Sequence, residues 1–388
     1  MAANLKISSE TPLELIWLHL ASLESVTLAR KAIRRRSERE GSPVADDLLE
    51  RKAIGLAYTL RNARDYLEDS TQLLTKQILN AYYGTFSFLN ALLISNPGNA
   101  YDLAGAESAG KYGHGLQSFE DEAAPFPLSQ KVYVSNDGLF GHFLKDLGFV
   151  DEDLSAVKFT SRVKVMPRKP EEEQKLLSLD ELLGRIPELA SFYSEVTDRW
   201  PLTCSLNYTV YDNRISFPRI NLGQQPAPPP PQKTFLRIDI LGPLPATPDE
   251  LVRHLAAPLD NCVFPEKTSP DEPPCVVGQL QADIAEGTSW FNYVHMYSSS
   301  ACPSSWVKPM WGKTSDMLCI HFCTLYMLSI VVRYKPKLWR EITEGANDEY
   351  LALIRSYVAV ARRVVPELVL SRILNRPVVA GVPGTIYS

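Results

Sequence analysis

A sixteen-residue apolar run, Met317 to Val332, is the strongest constraint in this chain; only His321, Thr324 and Ser329 interrupt it. A membrane span needs about 20 predominantly apolar residues, so the run reads as a helix buried in a protein core. A helix that is apolar all round must be covered on every side. The second half of the stretch Ser70 to Ser95 has the same character, through Tyr82, Tyr83, Phe86, Leu89, Leu92 and Leu93. These two helices belong to opposite ends of the chain. Each needs partners for its apolar surface, which predicts a helical bundle built from both chain ends.

The other helical segments fit that plan. Thr11-Pro12-Leu13-Glu14 reads as a helix start, with Thr11 as cap, Pro12 at the first position and Glu14 closing a capping box. Apolar residues at near-helical spacing carry this helix from Leu13 to Ile33. It ends in Arg34-Arg35-Arg36, read as a solvated end, before Gly41-Ser42-Pro43. A second helix is expected over Asp46–Glu68 and a third over Ser70–Ser95, stopped by Asn96-Pro97-Gly98-Asn99. Residues 104–115, rich in Gly and Ala, read as a loop or short helix. Toward the C-terminus, Asp316 precedes the apolar helix, which runs to Tyr334. Further helices are expected over Trp339–Glu344 and Asn347–Val364. Pro366 opens a last one that reaches Leu374.

The middle of the chain changes character. Lys131–Val134, Phe159–Val165, Thr203–Tyr211, Thr234–Leu241, Cys275–Ala282 and Trp290–Tyr297 read as strands, with Asp212-Asn213 turning Thr203–Tyr211 into a hairpin with Arg214–Phe217. Ser178–Tyr193 reads as a helix capped by Ser178 and Glu181 and bent or broken at Ile186-Pro187, and Thr247–Leu255 as a short one. Gln224–Gln232 contains a polyproline run that cannot join a sheet interior, 258–275 is a Pro-rich loop, and Trp306–Trp311 an aromatic loop. The fold expected is α+β: an N-terminal helical region (1–125), a mixed middle insertion with β-strands (126–300), and C-terminal helices (301–388) packing back on the first.

Charge and cysteine usage narrow the class. The net charge of −5 gives no global basic field that would advertise nucleic acid. Six cysteines are scattered without a CxxC pair, and the N-terminal residues lack the pattern of a secretory signal, so a cytoplasmic protein with no membrane association is expected. No P-loop, GxGxxG, HExxH or GxSxG occurs. Cys319 and Cys323 share a helix face and read as small buried hydrophobes. Asp198, Asp212 and Asp239 make a carboxylate site only if the fold gathers them. Neither a metal nor a cofactor is expected.

Two groups of residues carry candidate chemistry. His114, in Tyr112-Gly113-His114-Gly115, titrates near neutrality and sits between glycines that permit unusual backbone, which suits a general base or a phosphate contact. Arg333, Tyr334 and Lys335, with Trp339 and Arg340 beyond Pro336, put positive charge and aromatic rings at a helix C-terminus, a setting for an anion or nucleic acid. Arg61 and Arg64 are expected to pair with Asp65 or Glu68.

The ordered set of pieces resembles the bacterial YaaC-like proteins. It comprises Asn80-Ala81-Tyr82-Tyr83-Gly84 leading to Asn90-Ala91-Leu92-Leu93, then Gly113-His114-Gly115-Leu116, Leu179-x-x-Leu182-x-x-x-Ile186-Pro187-x-Leu189 with Tyr193, and Arg333-Tyr334-Lys335-Pro336-x-x-Trp339. The resemblance implies a bacterial cytosolic protein and no established reaction. It marks Tyr82, Tyr83 and Asn90 as binding candidates beside Arg333, Tyr334, Lys335 and Trp339. The Tyr-Tyr helix also resembles the core helix of HEPN domains, many of them ribonucleases of toxin and phage-defence systems, whose active motif is an Arg shortly upstream of a His on one helix. None of the six histidines here has an Arg at that spacing. The leading expectation is therefore a non-enzymatic subunit of a bacterial defence or stress complex, with a protein partner or a second copy of itself. A diverged HEPN-like ribonuclease using His114, and a nucleic-acid-binding module without catalysis, are the alternatives.

Overall fold

The two apolar helices meet. In a computed structural model that describes residues 5–68, 73–111, 113–135, 138–149, 176–212, 234–241, 260–263, 276–282 and 297–383, the chain begins with strand β1 (Leu5–Ser8) and four helices. These are α1 (Pro12–Ser22), α2 (Val26–Glu40), α3 (Asp46–Leu67) and α4 (Leu74–Ser95). Next come α5 (Leu103–Gly110), β2 (Leu116–Glu120), β3 (Gln130–Val134) and α6 (Leu139–Asp146). The middle continues with β4 (Leu177–Ser178), α7 (Leu179–Leu183), a single 3-10 turn over Pro187–Leu189, and α8 (Ala190–Thr197). Strands β5 (Thr203–Asp212), β6 (Thr234–Leu241), β7 (Asp260–Val263), β8 (Val276–Ala282), β9 (Tyr297–Ser299) and β10 (Cys302–Val307) follow. The chain returns to helix with α9 (Met317–Tyr334), α10 (Pro336–Glu344) and α11 (Glu349–Ile373), and closes on β11 (Val378–Gly381).

Helix α9 is the centre. Every residue from Met317 to Ser329 is buried, and α4, α7, α10, α11 and the strands β2 and β3 surround it. It is long and apolar enough to cross a membrane, yet 78% of its length is covered by the rest of the protein. Asp316 caps it, accepting from the Cys319 amide at 3.1 Å, and also pairs with Arg372 on α11. Thr324 and Ser329 donate to carbonyls of their own helix, at 2.8 and 2.7 Å, so their hydroxyls cost little inside the core. Cys319 and Cys323 are fully buried and burial pushes both thiols up, as befits small hydrophobes.

Helices α3 and α4 pack closely, and α11 lies across α4 and α1, so both chain ends share one core. Parallel pairing of β1 with β11, Leu5 opposite Val378 through Ser8 opposite Gly381, joins the two ends further. At one end of the α3–α4 pair, Lys52 is completely buried. It donates to the carbonyls of Ile94, Asn96 and Tyr101 and to Asn99 Oδ1 at 2.8–3.1 Å. The ammonium thus satisfies carbonyls that the end of α4 leaves free.

Among the described residues the strands form three sheets. A six-stranded sheet has the order β7-β8-β6-β5-β10-β9, a three-stranded one β2-β3-β4, and a two-stranded one β1-β11. Strand β6 keeps the bounds read from its alternation, Thr234–Leu241, and pairs β5 from Ser205 opposite Leu241 to Asp212 opposite Thr234. The expected partner Arg214–Phe217, the strand Phe159–Val165, the polyproline run and the helix Thr247–Leu255 lie outside the described residues. The expected loop 258–275 is corrected where it is described: Asp260–Val263 form strand β7.

Several expectations are corrected. The first helix is two: the chain turns between α1 and α2, where Leu23 and Ser25 make short-range bonds to Leu20 and Ser22. Thr11 starts α1 through its carbonyl, with no cap from its side chain. The Arg36 end of α2 is not a solvated tail, because its guanidinium donates to the Arg372 carbonyl at 3.2 Å and so binds α2 to α11. Arg64 pairs with Glu24, at 2.8 Å, and more loosely with Glu68. Residues 139–146 form helix α6, which the sequence pattern does not announce. Ser178 and Glu181 do form a reciprocal capping box, but the helix they start is short. Trp306 and Val307 belong to β10. Helix α11 passes through Pro366 without ending. One lost backbone bond costs less than uncovering the faces that pack on α1, α4, α8, α9 and α10.

Candidate functional site

The C-terminal end of α9 emerges from the core beside the middle of α4, and here most of the candidate residues gather. Tyr82 and Tyr83 project from α4, Arg333 and Tyr334 from the last turn of α9, and His114 from the loop before β2. That loop is held by backbone bonds: Phe140 N donates to His114 O at 3.0 Å and Ser135 N to Gly115 O at 3.0 Å. The approach needs glycine on both sides. A Cβ on Gly138 would lie 2.4 Å from the Gly115 amide, and both residues have positive φ. The glycine beside His114 thus fixes where the imidazole points.

The rings form a connected cluster. Tyr82 contacts His114 at 5.5 Å between centroids, Phe322 at 5.7 Å and Tyr326 at 6.0 Å. Phe86, one turn along α4, meets His114 edge-on at 5.1 Å. Tyr83 contacts Tyr82 at 5.2 Å and Tyr66 of α3 at 5.7 Å. Arg333 lies among them. Its guanidinium is 4.9 Å from the Tyr334 ring centroid, 5.8 Å from Tyr82 and 5.9 Å from Tyr83. It donates to the Tyr83 hydroxyl at 3.2 Å and to Ser329 Oγ and O at 3.0 and 3.1 Å. Cation and rings are therefore locked together, with Tyr334 65% exposed and Tyr66 41% exposed at the two ends of a stripe.

Beneath the stripe, two polar atoms are buried with no hydrogen-bond partner: His114 Nδ1 and the Tyr82 hydroxyl. Burial, aided by the nearby positive charge of Arg333, lowers the His114 pKa, so the imidazole is neutral at physiological pH. Burial raises the phenol pKa of Tyr82 and of Tyr326. Beside the cluster, a cavity of about 450 Å³ opens between β2 and α9, with Ser118, Tyr326, Ile330 and Tyr334 in its walls. Lys335 closes one side through a 2.6 Å ion pair with Glu120.

Two candidates fall elsewhere. Asn90 lies on α4 eight residues beyond Tyr82, about 12 Å along the axis, and its amide donates to its own helix at Phe86 O, 3.2 Å. Trp339 packs against the core from α10. Tyr66, Phe86, Glu120 and Tyr326 join the site without having been singled out. Phe86 and Tyr326 had a faint signal, one turn from Tyr82 and two turns from Arg333, whereas Tyr66 and Glu120 had none. Among the described residues, no group of three His, Cys, Asp or Glu side chains could hold a metal ion.

The ordered pieces that build this site lie within one family match. The model of the YaaC-like proteins matches residues 21–373. The chain belongs to the YaaC-like family. That span includes α4, the His114 loop and α9 together, so all the residues of the cluster are inside the YaaC-like region. No curated protein and no solved structure matches the chain.

Proposed function

We propose that this YaaC-like protein is a non-enzymatic binder of single-stranded nucleic acid. The observation that carries this reading is the stripe Tyr66–Tyr83–Arg333–Tyr334, in which rings and a guanidinium alternate within 6 Å of one another. Single-strand binders combine positive charge along the backbone with aromatic stacking platforms, each stacked base contributing about 1–3 kcal/mol. Because the protein as a whole is acidic, the affinity rests on this patch and not on a global field. Fluorescence anisotropy with labelled oligouridylate tests it. Tyr334→Ala is expected to weaken binding about tenfold or more, and rising salt to weaken it further as Arg333 gives up a phosphate. Affinity indifferent to both would overturn the reading.

One observation favours a second reading. The unpartnered Nδ1 of His114, beside Arg333, is suited to take a proton from a ribose 2′-hydroxyl while the guanidinium faces the phosphate. That would be a diverged HEPN-like ribonuclease, with Arg and His supplied by distant segments. RNA cleavage that is lost in His114→Ala supports it; no cleavage, or cleavage that survives the substitution, removes it. A place in a defence or stress complex would use another surface. The outer side of α3 exposes Ile54 and Tyr58, which suits a protein partner or a second copy, and a low-salt pull-down from the host reads this directly.

A further inference from the structure

The cavity beside the stripe has two unlike walls. On the α9 side stand Tyr326, Ile330 and Tyr334; on the β2 side stand Ser118 and Glu120, with Lys335 at the corner. Its volume, about 450 Å³, lies in the range of small-ligand sites, about 300–1,000 Å³. A flat ligand could slide between aromatic rings here and present one edge to the polar side. Strand β2 is the edge of its sheet among the described residues, so that side is not covered by another strand.

The polar edge has a definite order. Lys335 Nζ lies 2.6 Å from Glu120 Oε2, and Glu120 Oε1 accepts from Gln130 Nε2 at 3.0 Å. Each carboxylate oxygen keeps a second lone pair, and the ammonium keeps two further protons. The hydrogen bond from Lys335 holds the Glu120 carboxyl below its usual range, so it is ionised at neutral pH. An incoming edge therefore meets one donor followed by two acceptors.

We propose that this cavity is a base pocket selective for guanine, taking one nucleotide of the strand held on the stripe. The inference rests on the single-strand reading above. Guanine's pairing edge carries an acceptor, O6, followed by two donors, N1–H and the 2-amino group. That order complements Lys335 and the two oxygens of Glu120. Adenine and cytosine present a single donor group on this edge, and uracil one donor between two acceptors. Each leaves a carboxylate oxygen without a donor from the base, which is where discrimination arises. The same edge belongs to a free guanosine phosphate, so the chemistry is shared between a strand and a mononucleotide.

The test compares three probes on the full chain: an oligouridylate of about eight nucleotides, the same strand with one central G, and guanosine 5′-monophosphate against its uridine counterpart. The G-containing strand is expected to bind about tenfold tighter than oligouridylate, and guanosine monophosphate to be preferred over uridine monophosphate. Glu120→Gln replaces two acceptors by one acceptor and one donor, and the preference should fall to near unity. Lys335→Met, which removes the partner of O6, should reduce it by a different route, and thermal melting of both variants verifies their fold. Equal affinity for both strands overturns the pocket and leaves the strand reading standing. Binding of guanosine monophosphate with no strand binding supports the pocket and overturns the strand reading. If no probe binds, both are overturned.

Discussion

Two polar clusters pack against α4, and they are built in opposite ways. At its C-terminal end, the buried Lys52 meets four oxygen acceptors. Near its middle, His114 Nδ1 and the Tyr82 hydroxyl meet none. Burial lowers the Lys52 pKa to about 8, so the side chain is still an ammonium at neutral pH and its charge is spread over carbonyls. Such a cluster is complete. It leaves no bonding capacity for a ligand, and its effect is confined to holding α3, α4 and the following loop together. The cluster around His114 is incomplete, its neighbours Tyr326 and Tyr334 line a cavity, and Tyr334 and Tyr66 are exposed above it. Burial of an unsatisfied polar atom costs about 1–3 kcal/mol, and here two such atoms lie at one place.

The comparison is broken most readily at Lys52. Lys52→Met leaves several carbonyl oxygens buried without a donor, and should destabilise the protein by about 3–5 kcal/mol. Urea denaturation measures this. A loss under about 1 kcal/mol would mean that the carbonyls find water and that the cluster is not the closed structural unit described. Any nucleic-acid affinity of the folded fraction should be retained, because Lys52 of α3 sits at the C-terminal end of α4, away from the stripe near its middle.

A third buried group sharpens the comparison. His321 lies in the middle of α9, fully buried, with neither ring nitrogen bonded; it stacks on Tyr357 at 5.8 Å. It is as unsatisfied as His114, and it sits at the centre of the apolar helix with buried residues on both sides along the chain. Its role is therefore read from pH and not from ligands. Burial lowers its pKa from 6.5 to about 4. Between those values the unfolded chain binds a proton that the native protein refuses, so stability is complete above pH 6.5 and falls as the pH drops toward 4. The loss amounts to ~3 kcal/mol. Denaturation curves between pH 4 and 7 should show this slope, and His321→Leu should flatten it. An unchanged slope in that variant would assign the acid sensitivity to other groups.

How far the sequence foretold this arrangement differs between fold and site. Period and capping carried α3, α9 and β6 almost to their observed ends. The same signals failed where tertiary contacts overrode them. Pro366 argued for two helices, yet packing on five neighbouring helices keeps α11 whole. The apolar spacing of Leu20, Leu23, Leu28 and Ile33 ran smoothly across the turn between α1 and α2 because residues on both sides of it face the core, although Leu28 itself is exposed. Within the site, the residue types were legible: His114 between glycines, a Tyr pair, an Arg-Tyr-Lys end. Their meeting was not, since nothing in local spacing ties the loop before β2 to the end of α9. Glu120 and Tyr66 were invisible for the same reason, each being an unremarked polar residue on a half-exposed edge.

The smallest expected effect discriminates most finely between a site and a packing accident. Tyr82 is fully buried, and its hydroxyl has no partner. If the ring serves only to fill the core between His114, Phe322 and Tyr326, the oxygen is a pure cost. Tyr82→Phe keeps the ring and removes the unsatisfied group, so stability should hold or rise by up to about 1 kcal/mol. A structural role alone predicts that nothing else changes. A site predicts that strand affinity falls in the same variant that gains stability, because the hydroxyl is one of the groups a ligand would complete, and opposed changes in stability and binding are the mark of strain kept for function. Measuring melting temperature and oligouridylate affinity on one preparation decides between them. Lower stability in Tyr82→Phe would show that the hydroxyl has a partner after all, most simply an ordered water, and would move this cluster to the same class as Lys52.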